Sequence, residues 1–204
     1  MLDPGQMLLL PSLGAALLFL LSRHRAPYPG SPVIKALGCA LLAVAAIPTA
    51  PLLAVALALS ALGDCFLALR GERHFLNGLI AFLVAHIVYA AIFAQAWAPS
   101  MASLWGAAAV VLAGIILAVW LYPGLGKMRR PVLAYTSVIV TMAVMALQAD
   151  YQPGLLVPGA LLFMFSDSCI AVRRFKSDFA FSGELTWATY YGGQLLLFLA
   201  VMGG

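Results

Sequence analysis

Apolar residues fill eight long stretches of the chain, at 7–22, 33–47, 52–69, 75–97, 101–122, 132–148, 155–172 and 186–202. A helix crossing a bilayer needs about 20 largely apolar residues. Several stretches are shorter, which fits tight turns and tilted, uneven packing. Only Pro48-Thr49-Ala50-Pro51 separates the second from the third, so a short hairpin between two helices is expected there. The pattern predicts an all-α polytopic membrane protein, a bundle of eight transmembrane helices forming a single integral-membrane domain over 1–204.

Polar residues inside these stretches stand out against that background. Asp64 follows Gly63 in the third, and Asp167 follows Ser166 in the seventh. A carboxylate at such depth costs roughly 2.5–3.5 kcal/mol on insertion scales, so it needs a partner or a purpose. On the fourth, Phe75, Gly78, Phe82, His86, Tyr89 and Phe93 recur every three or four residues and share one helical face. Ser60 shares a face with Asp64, Phe163 with Asp167, and Tyr190 with Gln194 and Phe198. Aromatic stripes of this kind are usually packing, and Gly78 and Gly159 suit close helix approach. Asp64-Cys65-Phe66-Leu67-Ala68-Leu69-Arg70 resembles Asp167-Ser168-Cys169-Ile170-Ala171-Val172-Arg173 four stretches later. That match allows two parallel four-helix repeats.

Composition agrees with a membrane protein. The chain is 64% hydrophobic and 9% charged, against about 25% charged in soluble domains. All eleven Lys and Arg residues lie in alternate connections or at their edges: Arg23, Arg25 and Lys35; Arg70 and Arg73; Lys127, Arg129 and Arg130; Arg173, Arg174 and Lys176. The positive-inside rule then predicts that these four connections are cytoplasmic and both termini lie outside, in the cell (inner) membrane. The net charge of +4 resides in those loops and points to no nucleic acid partner. The first apolar stretch has no basic segment ahead of it, which suits a retained span better than a cleaved signal. Cys39, Cys65 and Cys169 lack paired spacing and read as small packing residues.

This topology sets the depth of each polar group. Asp64 and Asp167 each fall about five residues, roughly 7–8 Å, from the cytoplasmic end of a helix. Lys35, Tyr135 and Tyr190 begin helices that start at the same face, Gln194 lies a turn deeper, and His86 is near mid-membrane. If these faces point inward, the polar groups converge on a cytoplasmic-side cavity. Two close carboxyls would titrate as a unit, giving a buried acid beside a carboxylate, suited to protonating a poor substrate and stabilising a cation. The bland readings are concrete: an acid paired with Lys35 or capped by Tyr and Gln groups, a packed His86, interfacial tyrosines, a snorkelling Lys35 and topological Arg173 and Arg174. No serine-hydrolase elbow, zinc-protease helix, P-loop or dinucleotide motif is present. Asp64, Asp167 and His86 share no local ligand spacing, so no metal and no cofactor is expected.

The 75–89 segment Phe-Leu-Asn-Gly-Leu-Ile-Ala-Phe-Leu-Val-Ala-His-Ile-Val-Tyr, following Gly63-Asp64, resembles the YhhN-type lysoplasmalogenases. So do Arg130-Pro131-Val132-Leu133-Ala134-Tyr135, the 159–167 segment ending Ser166-Asp167, and Tyr190-Tyr191-Gly192-Gly193-Gln194. The likeness covers roughly 33–198. Lys35 matches the family's second-span lysine, although Ala36 stands where the family has proline. The resemblance implies a membrane hydrolase that cleaves the vinyl ether bond of lysoplasmalogens to a fatty aldehyde and glycerophospho-ethanolamine or -choline. Asp64, Asp167 and His86 would be catalytic. Lys35, Tyr89, Tyr135, Ser166, Tyr190, Gln194 and Arg174 would bind substrate, with Lys35 and Arg174 at the phosphate. The implied partner is a lysophospholipid in the membrane, and the oligomeric state is open. A small proton-coupled transporter and a lipid-binding membrane protein are the alternatives, since buried acids and repeats also occur in transporters.

Overall fold

The computed structural model describes residues 4–203, with side chains from Met7 onward. Eight α-helices follow in order: α1 (Pro4–Ser22), α2 (Ser31–Ala46), α3 (Pro51–Leu67), α4 (Glu72–Ala94), α5 (Met101–Leu121), α6 (Arg129–Leu147), α7 (Pro153–Phe175) and α8 (Ser182–Met202). The residues between them are turns, bends and short 3₁₀ segments. Six helices are long and apolar enough to cross a membrane. α2 and α3, at 16 and 17 residues, would extend only about 24–26 Å at 1.5 Å per residue, short of a hydrocarbon layer about 30 Å thick. Their separation by the Ile47–Ala50 turn agrees with the hairpin expected from the two prolines. The protein is a multi-pass integral membrane protein.

Local chemistry explains several boundaries. Pro51 and Pro153 open α3 and α7, where a missing N–H costs nothing. α5 starts at a capping box in which Ser100 and Ser103 bond reciprocally. Gly71 turns the chain from α3 to α4 at φ +113°, a conformation L side chains rarely adopt. In-helix hydroxyls bond back to carbonyls one turn earlier, as Ser60 does to Ala56 at 2.9 Å and Ser168 to Met164 at 2.8 Å. This satisfies their polarity where no water is available.

The chain forms two compact units, 1–89 and 90–204. In the first, α2 packs on both α1 and α3, and Ser12 bonds the Gly38 carbonyl across the α1–α2 seam at 2.7 Å. α4 approaches α3 closely at Gly63 and Gly78. A Cβ on Gly63 would meet the Phe82 ring at 2.6 Å, and one on Gly78 would meet Leu67 at 2.8 Å. In the second unit, α7 packs along α8, and α6 on α5 and α7. Gly159 and Gly193 form the α7–α8 crossing: a Cβ on Gly193 would meet the Gly159 carbonyl at 2.8 Å and the Phe163 amide at 2.9 Å. Both helix-approach glycines expected from the sequence, Gly78 and Gly159, have that role. A short antiparallel bridge joins two connections of this unit, with Ala98 N–H donating to Gln148 at 2.7 Å and Asp150 N–H to Ala96 at 2.8 Å.

The outward surfaces are those of a lipid-facing protein. On α5, Leu104, Trp105, Leu112, Ile115, Ile116, Val119 and Trp120 are exposed, Trp105 by 74%. Water would not tolerate so continuous an apolar face on a monomer.

Candidate active site

The α4 stripe is interior as its spacing predicts. Gly78, Phe82, His86, Tyr89 and Phe93 are buried and Phe75 is half-buried, while Ile80, Val84 and Ile87 face outward. His86 donates from Nδ1 to the Phe82 carbonyl at 2.6 Å, which fixes the ring along its own helix. Ser60 and Asp64 are both buried on the inner face of α3.

Asp64 is 1% exposed and forms an ion pair with Lys35, Nζ to Oδ1 3.3 Å. Lys35 lies on the second turn of α2 and Asp64 on the last turn of α3, so the hairpin brings them together. The adjacent thiol of Cys65 contacts the Pro32 carbonyl at 3.7 Å, a second link between the same ends. The pairing named among the bland readings of the acids is thus present. An isolated buried carboxylate would be far costlier than this pair.

The second acid has different surroundings. Asp167, half-buried on α7, accepts a hydrogen bond from the hydroxyl of buried Tyr135 on α6. Ser166, one residue earlier, donates to the Thr186 carbonyl of α8 at 3.0 Å, which makes it a clamp between α7 and α8. Tyr190 is buried edge-on against Phe163, with ring centroids 5.3 Å apart, and beside Trp187 at 5.6 Å. Gln194 is fully buried one turn along α8. Arg174 is exposed at the end of α7.

Basic residues lie in or beside helix ends in each unit. Arg23, Arg25, Lys35, Arg70 and Arg73 flank the ends of α1 and α3 and the starts of α2 and α4. In the second unit, Arg129 lies over the Tyr122 ring at 4.7 Å and Lys176 over Trp120 at 5.1 Å. Beyond the spans, Asp178 accepts from Ser182 Oγ at 2.5 Å, from the Phe179 amide at 2.9 Å and from Arg173 at 3.2 Å. The Ser182 hydroxyl bond, then the Phe179 amide, hold its carboxyl below the usual range.

Two polar positions escaped the sequence reading. Gln148, which looked like the polar end of an apolar stretch, is 1% exposed and accepts from Ser103 at 2.8 Å. Asp178 was not singled out; the signal that would have found it is Ser182, four residues on at the start of α8.

The YhhN family pattern matches residues 30–201. The chain belongs to the YhhN family. This YhhN protein is similar to lysoplasmalogenase TMEM86A of Bos taurus, 32% identical over 164 residues, or 76% of this chain and 67% of the relative. The human TMEM86A protein is 33% identical with the same coverage. A lysoplasmalogenase of Mycobacterium tuberculosis is 33% identical over 178 residues, 81% of this chain and 68% of the relative. No solved structure matches this YhhN protein.

Proposed function

We propose that this YhhN protein hydrolyses the vinyl ether bond of lysoplasmalogens. Water would convert the alkenyl chain to a fatty aldehyde and release glycerophospho-ethanolamine or -choline. The observation that carries the reading is its likeness, over three quarters of the chain, to relatives named lysoplasmalogenase. The two intramembrane aspartates supply chemistry of the required kind. Protonation of the vinyl β-carbon makes an oxocarbenium ion, the cation that paired carboxyls manage in glycoside hydrolysis. Water then adds to the carbon bearing oxygen, and the hemiacetal collapses to aldehyde and alcohol.

In this proposal one of Asp64 and Asp167 is the acid, and the other stabilises the cation and activates water. His86, Tyr135, Tyr190 and Gln194 orient the water or the ether oxygen. Tyr89 and Ser166 contact the substrate, and Lys35 and Arg174 meet the phosphate. All eight helices cross the membrane as one domain, α2 and α3 included, with the basic connections in the cytoplasm and both termini outside. Helices α1–α4 and α5–α8 are two parallel four-helix repeats.

The test is incubation of the purified protein in nanodiscs with a lysoplasmalogen and with its saturated ether analogue. Aldehyde is expected from the first alone. No aldehyde from either the ethanolamine or the choline form would sink the reading.

A further inference from the structure

An open cavity of about 420 Å³ lies within the first unit, between the connection that leads into α2 and the end of α3. Its volume falls in the range of small-molecule sites, about 300–1,000 Å³. Residues 27–32 form one wall and residues 68–70 the other. Ser31 stands one turn before Lys35 on α2, and the Ala68 amide donates to the Asp64 carbonyl at 3.1 Å. The cavity therefore begins one helical turn from the Lys35–Asp64 ion pair, towards the helix ends.

Its walls are mainly apolar, with two polar groups that suit an anion. Arg70 lines it and, among the described residues, makes no hydrogen bond, ion pair or ring contact. Glu72, two residues on, forms no ion pair with it. Ser31 is 1% exposed, and its oxygen accepts from the Tyr28 amide at 3.3 Å. Its hydroxyl hydrogen meets no acceptor among the described residues, so a buried donor is left for a ligand. Ser31 also opens α2, where the helix dipole favours negative charge. No Asp or Glu lines the cavity to oppose that charge. Pro27, Pro29 and Pro32 have fixed φ angles, so their wall loses little freedom when a ligand enters.

The geometry points to a subsite for the phosphate of a lysolipid headgroup, with Arg70 as its cation and Ser31 as its buried donor. The inference rests on the proposed vinyl ether hydrolysis and adds Arg70 to the cations proposed there for the phosphate. A phosphodiester is anionic at neutral pH, and a guanidinium meets it with paired N–H donors. A free phosphate would find few further donors here. The apolar wall suits a ligand whose phosphate is joined to glycerol and a hydrocarbon chain.

Affinity and turnover test this separately. Arg70 is exposed beyond the end of α3, so Arg70→Gln should fold as the wild type does. In maltoside micelles, which carry no phosphate, it is expected to weaken binding of the saturated ether lysolipid about tenfold, the low end for a hydrogen bond to a charged group. Binding of the alkylglycerol that lacks the phosphate should not change. Arg73→Gln removes a nearby cation outside the cavity and should leave both affinities alone. With the lysoplasmalogen as substrate, Arg70→Gln should raise KM by a similar factor at unchanged kcat. Equal losses for the two ligands, no loss for either, or an effect of Arg73→Gln as large as that of Arg70→Gln would overturn the inference. So would inorganic phosphate binding as tightly as the lysolipid, which would assign the cavity to a free anion. A protein that binds the lysolipid through Arg70 and yet releases no aldehyde would refute the proposed function and leave the subsite standing.

Discussion

At the scale of single residues, the two aspartates differ in a way that predicts different mutant behaviour. Asp64 is held in an ion pair with Lys35, so Asp64→Asn breaks a buried pair and should destabilise the protein by about 3–5 kcal/mol besides ending turnover. In Asp167→Asn the amide oxygen still accepts from Tyr135. The variant should fold with near-wild-type thermal stability and lose at least about 100-fold in kcat. Detergent melting curves and aldehyde release, measured side by side, check both. Normal turnover in Asp167→Asn would remove it from the mechanism.

Asp178 offers a separate test outside the spans. Its folded-state carboxyl is held low, chiefly by the Ser182 hydroxyl and the Phe179 amide. A depressed folded value contributes stability that is complete above the unfolded carboxylate pKa of about 3.9 and is lost as pH falls through the lower folded value. The melting difference between wild type and Asp178→Asn should therefore be constant from about pH 7 to 5 and shrink towards pH 3. A difference that grows on acidification would contradict the assigned sign.

At the scale of elements, the α7–α8 seam is the least tolerant contact. A side chain at Gly193 would run into the backbone of α7, at the Gly159 carbonyl and the Phe163 amide. Backbone cannot give way as a flexible side chain can, so Gly193→Val should cost at least the 1–3 kcal/mol typical of overpacking. Because Phe163 and Tyr190 meet along the same seam, activity should fall with it. Gly154 has open space around the same addition, so Gly154→Ala is the matched control in the same melting experiment.

Much of this scale was legible beforehand. The three- and four-residue spacing of Phe82, His86, Tyr89 and Phe93 is enough to choose the buried face of α4, because only one face of a helix can meet its neighbours. Cross-helix partners were less accessible. Lys35 and Asp64 are candidates from sequence, but their pairing depends on the register of the α2–α3 hairpin, which the Ile47–Ala50 turn sets. Tyr135 and Asp167 likewise meet only because α6 and α7 pack side by side. The Gln148–Ser103 bond joins residues 45 positions apart, a relation to which no local periodicity refers.

At the scale of the whole molecule, the alternation of basic and neutral connections predicts sidedness that chemistry can read. In a chain whose Cys39, Cys65 and Cys169 are replaced by alanine, a single cysteine at Pro29 should resist a membrane-impermeant maleimide applied to intact cells. One at Pro99 should react. The reverse pattern would overturn the proposed orientation while leaving the helical architecture untouched.

α5 carries one last implication. Ala107, Val110, Gly114 and Leu121 are its buried residues, so most of this helix faces away from the fold, where acyl chains would meet it. The annulus of lipid is in that sense a ninth packing partner, and a micelle supplies it with a different shape and stiffness. Rates compared between bilayer and detergent would then compare two differently supported molecules.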